Sequence, residues 1–415
     1  MKAKILIVGG GAMGTCIALH AARKCDPLGE PVILIEKDRL GAGSSGRSGA
    51  IIHQHYSDRG MAGMARDALK VYAQFEQTTG RSLGYRATGV LVLAGPGDAD
   101  RRAGLERDVE MQTSIGIDVR RLDTADIRAL VPGIEIEEGT IGAFEPGGGY
   151  LNAIRAIESF ATLARDQGTV TRIGVKDPTI LVEDGRAVGV RTSAGNFYAP
   201  QIVLATGPWT PKILESIGVE LPLQVVRTFQ HFVDIPAPGD EEDDDFEFGD
   251  QADPAIADAE TRFLTIDPLD RLPVPHPVIF DLDQDMVVRC EPAAVRTLVV
   301  GMGTRGQEEV TGPEAGDAEV AESFAQWARE ALVARLPVYR DLADKGSHSA
   351  FITVTPDGRP IIGPVEQVPG LFVVAGFTGN DFHLAPSIGE GLAQMLFGQP
   401  VSAFDPEAFA VGRFG

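Results

Sequence analysis

Gly9-Gly10-Gly11-Ala12-Met13-Gly14 stands directly between an apolar run and a helical one, and it constrains the fold more than any other feature of the chain. Lys2 to Val8 opens with alternating charge and closes as a continuous apolar run, the pattern of a buried parallel strand. Thr15 to Lys24 (TCIALHAARK) has helical character, and Pro31 to Ile35 (PVILI) reads as a second strand ending at Glu36. Gly9 permits the tight turn, Gly11 lets the backbone approach a pyrophosphate, and Gly14 lets the helix lie close on the strand. The helix N-terminus adds free N–H groups and a partial positive charge, which brings Ala12 and Met13 into the phosphate cradle. Glu36, followed by Lys37, stands about 20 residues beyond the last glycine, where a carboxylate accepts ribose hydroxyls and disfavours a 2′-phosphate. Strand, glycine turn, helix, strand and acid in this order predict a Rossmann-type dinucleotide site.

The chain has 415 residues, enough for two domains, with 44% hydrophobic and 23% charged residues, which excludes wholesale disorder. A net charge of −22 repels phosphate backbones and anionic lipid, so neither nucleic acid nor a membrane surface is an expected partner. No stretch approaches the roughly 20 apolar residues of a spanning helix. The N-terminal apolar run is too short for a signal peptide and flows into glycines, so a cytoplasmic protein is expected. Cys16, Cys25 and Cys290 show no metal-ligand spacing, so reduced thiols and no metal are expected.

Leu40 to Tyr56 reads LGAGSSGRSGAIIHQHY, a Gly/Ser-rich loop with Arg47 that enters Ile51-Ile52, His53 and His55. Small residues let backbone lie against a flat ring system, and Arg47 can meet phosphate; this argues for FAD rather than NAD. The segment resembles the S-S-R-S-G-G-like loop that wraps the flavin in the D-amino-acid oxidase/sarcosine oxidase/glycine oxidase superfamily of FAD-dependent oxidoreductases. Three later segments are similar to that family too. QIVLATGPWT, ending at Thr210, resembles the A-x-G-x-W segment. Thr355 to Gly363 (TPDGRPIIG) resembles T-P-D-G-x-P-x-I-G. Leu371 to Leu396 resembles the terminal strand, glycine loop and helix beside the flavin. The resemblance implies FAD contacts from Ser44, Ser45, Arg47, Ser48, Gly49 and Ala50, from Val175, Ala205, Thr206, Gly207 and Trp209, and from Gly376, Thr378, Gly379, Asn380, Asp381 and Phe382.

The implied fold is α/β: a discontinuous Rossmann-type FAD domain (1–80, 145–222 and 345–415) and an α+β substrate domain on an antiparallel sheet (81–144 and 223–344). Asn152 to Gln167 and Ala318 to Leu336 read as helices. Val170–Val175, Thr179–Val182, Ala187–Thr192, Thr88–Ala94, Val225–Val233 and Thr297–Met302 read as strands. Asp240 to Asp245 (DEEDDD) lies in an acidic, Pro/Asp-rich insertion of about 236–277. Like charges repel, so a surface loop is expected there; an active-site cover or a subunit or homo-oligomer contact is the sharper alternative.

Flavoenzymes of this type remove a hydride from a carbon bearing a neutral amine, and the imine product hydrolyses. The expected substrate is a small amine or amino acid, and the electron acceptor is oxygen or another carrier. In the sarcosine oxidase branch a lysine that binds the substrate carboxylate follows the glycine-loop phenylalanine; here His383 follows Phe382. His53 falls where many relatives place an arginine. These two are the candidate substrate contacts and, with Asp381, the candidate catalytic residues, while His55 and Tyr56 are expected to pack or cap. Asn380 and Asp381 depart from the family's histidine and glycine; an acid there meets a cationic amine or caps the following helix. Residues that tether flavin in relatives should align near Ala350 and Arg47, so FAD is expected to be non-covalent. The lysine that promotes oxygen reaction should align near Val299, which leaves a dehydrogenase open. Two other readings also stay open: a 2-hydroxy acid dehydrogenase, in which a histidine of the SGRSGAIIH run acts as base, and a non-catalytic FAD-binding subunit of a larger complex.

Overall fold

The computed structural model describes residues 1–26, 28–236, 275–315 and 320–414. The DEEDDD run lies outside the described residues.

The opening strand, Ile5–Val8, is fully apolar and sits inside a six-stranded sheet. Its spatial order is Ile361–Pro364, Leu371–Ala375, Gln201–Leu204, Ile5–Val8, Val32–Glu36 and Val170–Ile173. All neighbours are parallel except Ile361–Pro364, which pairs antiparallel on the edge. Burial on both faces explains why these strands read as unbroken apolar runs. One face is covered by Ala12–Ala22, Ala153–Asp166 and Asp381–Leu396, the other by the three-stranded sheet of residues 179–198. The helix predicted from Thr15 begins earlier, at Ala12, directly on the glycine turn.

The second sheet runs Gln307–Val310, Gln224–Val233, Arg296–Gly301, Met286–Glu291, Val278–Asp281, Val90–Ala94, Ile141–Glu145 and Arg120–Leu122. It is antiparallel, as expected, apart from one parallel pair, Val278–Asp281 with Val90–Ala94. The strand Asp344–Val354, whose residues from 345 on were expected in the cofactor unit, pairs along the length of Gln224–Val233. Helix Glu322–Arg335 covers the sheet, with Phe324 and Leu332 buried and Trp327 packed beside them.

Helix Arg59–Thr79 starts on the Asp58 side chain, which accepts from Met61 N at 2.8 Å, and ends on Gly80 in the left-handed region. It packs on Asp381–Leu396, which contains Pro386. A proline there has no N–H for the carbonyl of Phe382, four residues back. Tyr72 from the long helix donates to that carbonyl at 2.6 Å, so the buried acceptor is satisfied from outside its own helix. This contact fixes the start of the C-terminal helix, the segment that carries Asp381 and His383.

Candidate active site

The glycine turn is built for close approach. A Cβ at Gly9 would lie 2.3 Å from the Ala205 carbonyl oxygen, and one at Gly14 would lie 1.9 Å from that of Gly9. Gly11 caps the first helix with no side chain, and no acid occupies the helix's first turn. Its N-terminus is thus open to an anion. The Glu36 carboxylate is oriented by Gly10 N at 2.7 Å and Asp38 N at 2.9 Å. Lys37 Nζ sits 3.3 Å from the centre of the Trp209 ring, and burial lowers its pKa.

Two cavities meet above this turn. The first, of about 520 Å³, is lined by Gly9, Gly11, Glu36, Lys37, Val175, Thr206 and Trp209. The second, of about 300 Å³, is lined by Met13, Arg47, Ser48, Gly49, Ala50, Thr378, Gly379, Asn380, Asp381 and Phe382, and also by His53 and His383. Gly11, Ser44, Ser45, Ala205 and Gly207 line both. Three expected cofactor residues line neither. Gly14 packs on Gly9. Gly376 turns the chain at φ +78° against Thr355. Ala12 contributes its N–H, which donates to Ser45 Oγ at 3.2 Å. Arg47 lies in the second cavity, donating to the Ser349 carbonyl at 3.0 Å.

Ser45 links the two helix starts: its hydroxyl accepts from Ala12 N and donates to Asp381 Oδ2 at 3.0 Å. Asp381 Oδ1 accepts from Phe382 N at 3.0 Å. Both carboxylate oxygens are therefore engaged at the head of the helix. Burial nonetheless pushes this carboxyl's pKa up, opposed by those hydrogen bonds. Thr378 holds a left-handed φ of +54°, and its buried hydroxyl has no partner; Ser349 Oγ is likewise unpartnered.

The structure brings His53 and His383 together, with ring centres 3.9 Å apart and planes crossed at 71°. They are 7% and 5% exposed. The Tyr56 hydroxyl lies 2.9 Å from His383 Nδ1, and the Ile51 backbone bonds the same ring. Tyr56 was expected only to pack or cap; instead it orients a candidate site residue. His55 does pack, against Gln112 at 3.1 Å. Burial depresses His383 to about 3 and His53 well below the ordinary histidine value, with His383 and His55 adding to the effect on His53. Tyr56 is pushed well above 10 by burial, then by Glu145 and Asp381. The hydroxyl thus keeps its proton. Among the described residues, His53 Nδ1 is buried without a partner.

The sequence reading also missed Glu145, 1% exposed, whose Oε2 accepts from Gln54 N at 2.7 Å while Oε1 has no partner. Thr228, Gln230, Val287 and Val300 from the second sheet line the cavity, as does Met302 just after it, and Phe280 of the same sheet lies against His53. No local pattern marks them; only the pairing of distant strands brings them to one wall.

An elongated dinucleotide fits these residues. The glycines leave room that any Cβ would fill, the open helix N-terminus suits a pyrophosphate, and the two joined cavities suit two ring systems. Comparison with known proteins agrees with this reading. Human peroxisomal sarcosine oxidase is 24% identical over 423 residues, covering 99% of this chain and 95% of that protein. The 4-methylaminobutanoate oxidase (formaldehyde-forming) of Paenarthrobacter nicotinovorans is 28% identical over 99% of this chain, which spans 45% of that longer protein. The crystal structure of L-proline dehydrogenase from P. horikoshii shares the fold, with a TM-score of 0.82 at 21% identity, covering 100% of this chain and 98% of that one. Residues 4–395 match the family model described as DAO, FAD dependent oxidoreductase. With that match across nearly its whole length, the chain belongs to the DAO family of FAD-dependent oxidoreductases.

Proposed function

We propose that this chain holds FAD non-covalently along the two joined cavities and oxidises the C–N bond of a small amine or amino acid. The observation that carries the reading is the continuity of the glycine cradle, through Gly11, Ser44 and Ser45, with a cavity that ends on His53 and His383. When bound, FAD supplies the electron sink, accepting a hydride from the carbon that bears nitrogen. The chain does the rest. Glu36 faces the adenosine side and the first helix's N–H groups face the diphosphate. Thr378 and Ser349 offer unsatisfied hydroxyls beside the second cavity. Ala350 lines that cavity and offers no nucleophile, and none of the three cysteines lines either cavity, which supports a non-covalent cofactor.

The second sheet forms the substrate-facing wall. His53 and His383, both neutral, contact the amine-bearing part of the substrate, and His53 is a neutral acceptor for a proton on that amine. The imine then takes up water and divides into a carbonyl compound and an amine. Relatives named for sarcosine and 4-methylaminobutanoate oxidation support the C–N assignment. The same unpartnered His53 favours the second reading, with His53 as base toward a 2-hydroxy acid. Anaerobic bleaching of the reconstituted protein separates the two. Amines or amino acids bleach the flavin under the first reading, and bleaching by hydroxy acids alone would replace it with the second. A yellow protein bleached by neither would leave the non-catalytic subunit.

A further inference from the structure

We infer that the substrate carries no carboxylate α to its amine nitrogen, because the cavity wall formed by His53, His383 and Phe280 offers an anion no charge. This rests on the reading of the cavity as an amine site and narrows it.

With Tyr56, these three side chains form one aromatic cluster. His53 meets Phe280 edge-on at 5.1 Å, Tyr56 at 5.2 Å and His383 at 3.9 Å. Tyr56 Oη lies 2.9 Å from His383 Nδ1, and the Ile51 backbone takes up the ring as well, so the polar atoms of His383 already have partners inside the protein. A charge on His53 would lie against the His383 ring in a buried site. Nor do carboxylates stabilise a charge on either ring. Asp381 is turned to Ser45, Glu145 to Gln54, and Asp108 to Ser57 and His55. The low basicity of both rings agrees with this geometry.

Among the described residues, Arg47 is the cation lining the cavity. Its guanidinium donates to Ser349 O in the neighbouring strand, and Gln230 donates to its own carbonyl at 3.0 Å. Arg47 is proposed above for the cofactor. An α-carboxylate entering here would lose its water shell against imidazole and phenyl groups, and a buried ion without a partner is strongly disfavoured. An amine, or an amino acid whose acid is neutralised as an amide, enters without that cost.

The test uses the yellow holoenzyme and matched pairs, sarcosine against sarcosinamide and proline against pyrrolidine, mixed anaerobically while flavin absorbance is followed. The carboxylate-free member of at least one pair is expected to reduce the flavin at least about tenfold more efficiently. Faster reduction by sarcosine or proline than by its carboxylate-free partner overturns the inference and leaves the amine reading standing. Reduction by hydroxy acids alone, or by none of these, overturns both. As a second measurement, acetamide but not acetate is expected to perturb the flavin spectrum at equilibrium. Tight acetate binding contradicts the inference without any turnover. His53→Arg, which restores a cation, is expected to shift selectivity at least about tenfold toward the carboxylated member. If that variant does not fold, the wild-type pairs still decide.

Discussion

Tyr56 and His383 are 327 residues apart in the chain, yet the hydroxyl of one lies 2.9 Å from Nδ1 of the other. This bond ties the loop after the first βαβ unit to the C-terminal helix and orients a ring that lines the second cavity. Tyr56→Phe keeps the ring contacts and removes the hydroxyl, leaving a buried nitrogen unsatisfied. A loss of about 1–2 kcal/mol in stability is expected from denaturant unfolding of the holoenzyme. Substrate binding is expected to weaken while FAD content stays at the wild-type level. Unchanged unfolding and unchanged substrate affinity would show that the bond has no such role.

A second buried tyrosine makes a sharper prediction about the fold. Tyr72 satisfies the Phe382 carbonyl that Pro386 leaves without a helical donor. Tyr72→Phe is expected to cost about 1–3 kcal/mol. The double variant Tyr72→Phe/Pro386→Ala restores the helical donor and is expected to recover part of that loss. Additive losses in the two single variants and the double would mean that the proline and the tyrosine are uncoupled.

What could be seen in the sequence was local. Gly9, Gly11, Gly14 and Glu36 announce themselves because each backbone position demands that residue type within a single βαβ unit. The Ser44–Ala50 and Gly376–Phe382 loops were legible as flavin-side segments through family resemblance. Glu145, Gln230 and Phe280 were not. They come from strands whose neighbours are set by long-range pairing, and a buried glutamate on an apolar strand looks like a solvent-facing one. The pairing of Asp344–Val354 was illegible for the same reason. DKGSHSAFITV alternates weakly, and only its antiparallel partner Gln224–Val233 shows where it belongs.

Glu145 gives a pH prediction. Burial pushes its carboxyl from 4.5 to about 7 in the folded protein. The folded state therefore holds this proton more tightly than the unfolded chain does. The stabilisation is fully present below about pH 4.5 and is lost as pH rises through 7. The contribution is on the order of 3 kcal/mol. Glu145→Gln, which keeps an acceptor for Gln54 N, is expected to remove that slope between pH 5 and 7. An identical pH–stability profile for the variant and wild type would place the carboxyl's titration elsewhere.

Removing the imidazole of His53 tests the division of labour between the two cavities. His53→Ala is expected to slow flavin reduction by substrate about tenfold or more while leaving the FAD:protein ratio intact. Loss of FAD with retention of the reduction rate would place His53 in the cofactor site instead.

The glycine turn is tested by a single methyl group. Gly14→Ala puts a Cβ 1.9 Å from the Gly9 oxygen, so the first helix must move off the strand. Folded but colourless protein is expected, with far-ultraviolet circular dichroism near wild type and FAD affinity lowered at least about tenfold. Full FAD occupancy would show that the helix start tolerates displacement.

The most direct measurement is the fate of the colour. Purified protein, incubated with FAD and freed of excess, is predicted to show the two-band spectrum of oxidised flavin at one FAD per chain, and acid precipitation is predicted to release all of it into the supernatant. A protein that stays colourless after incubation with FAD contradicts the cofactor site. Yellow that stays with the pellet contradicts the non-covalent hold.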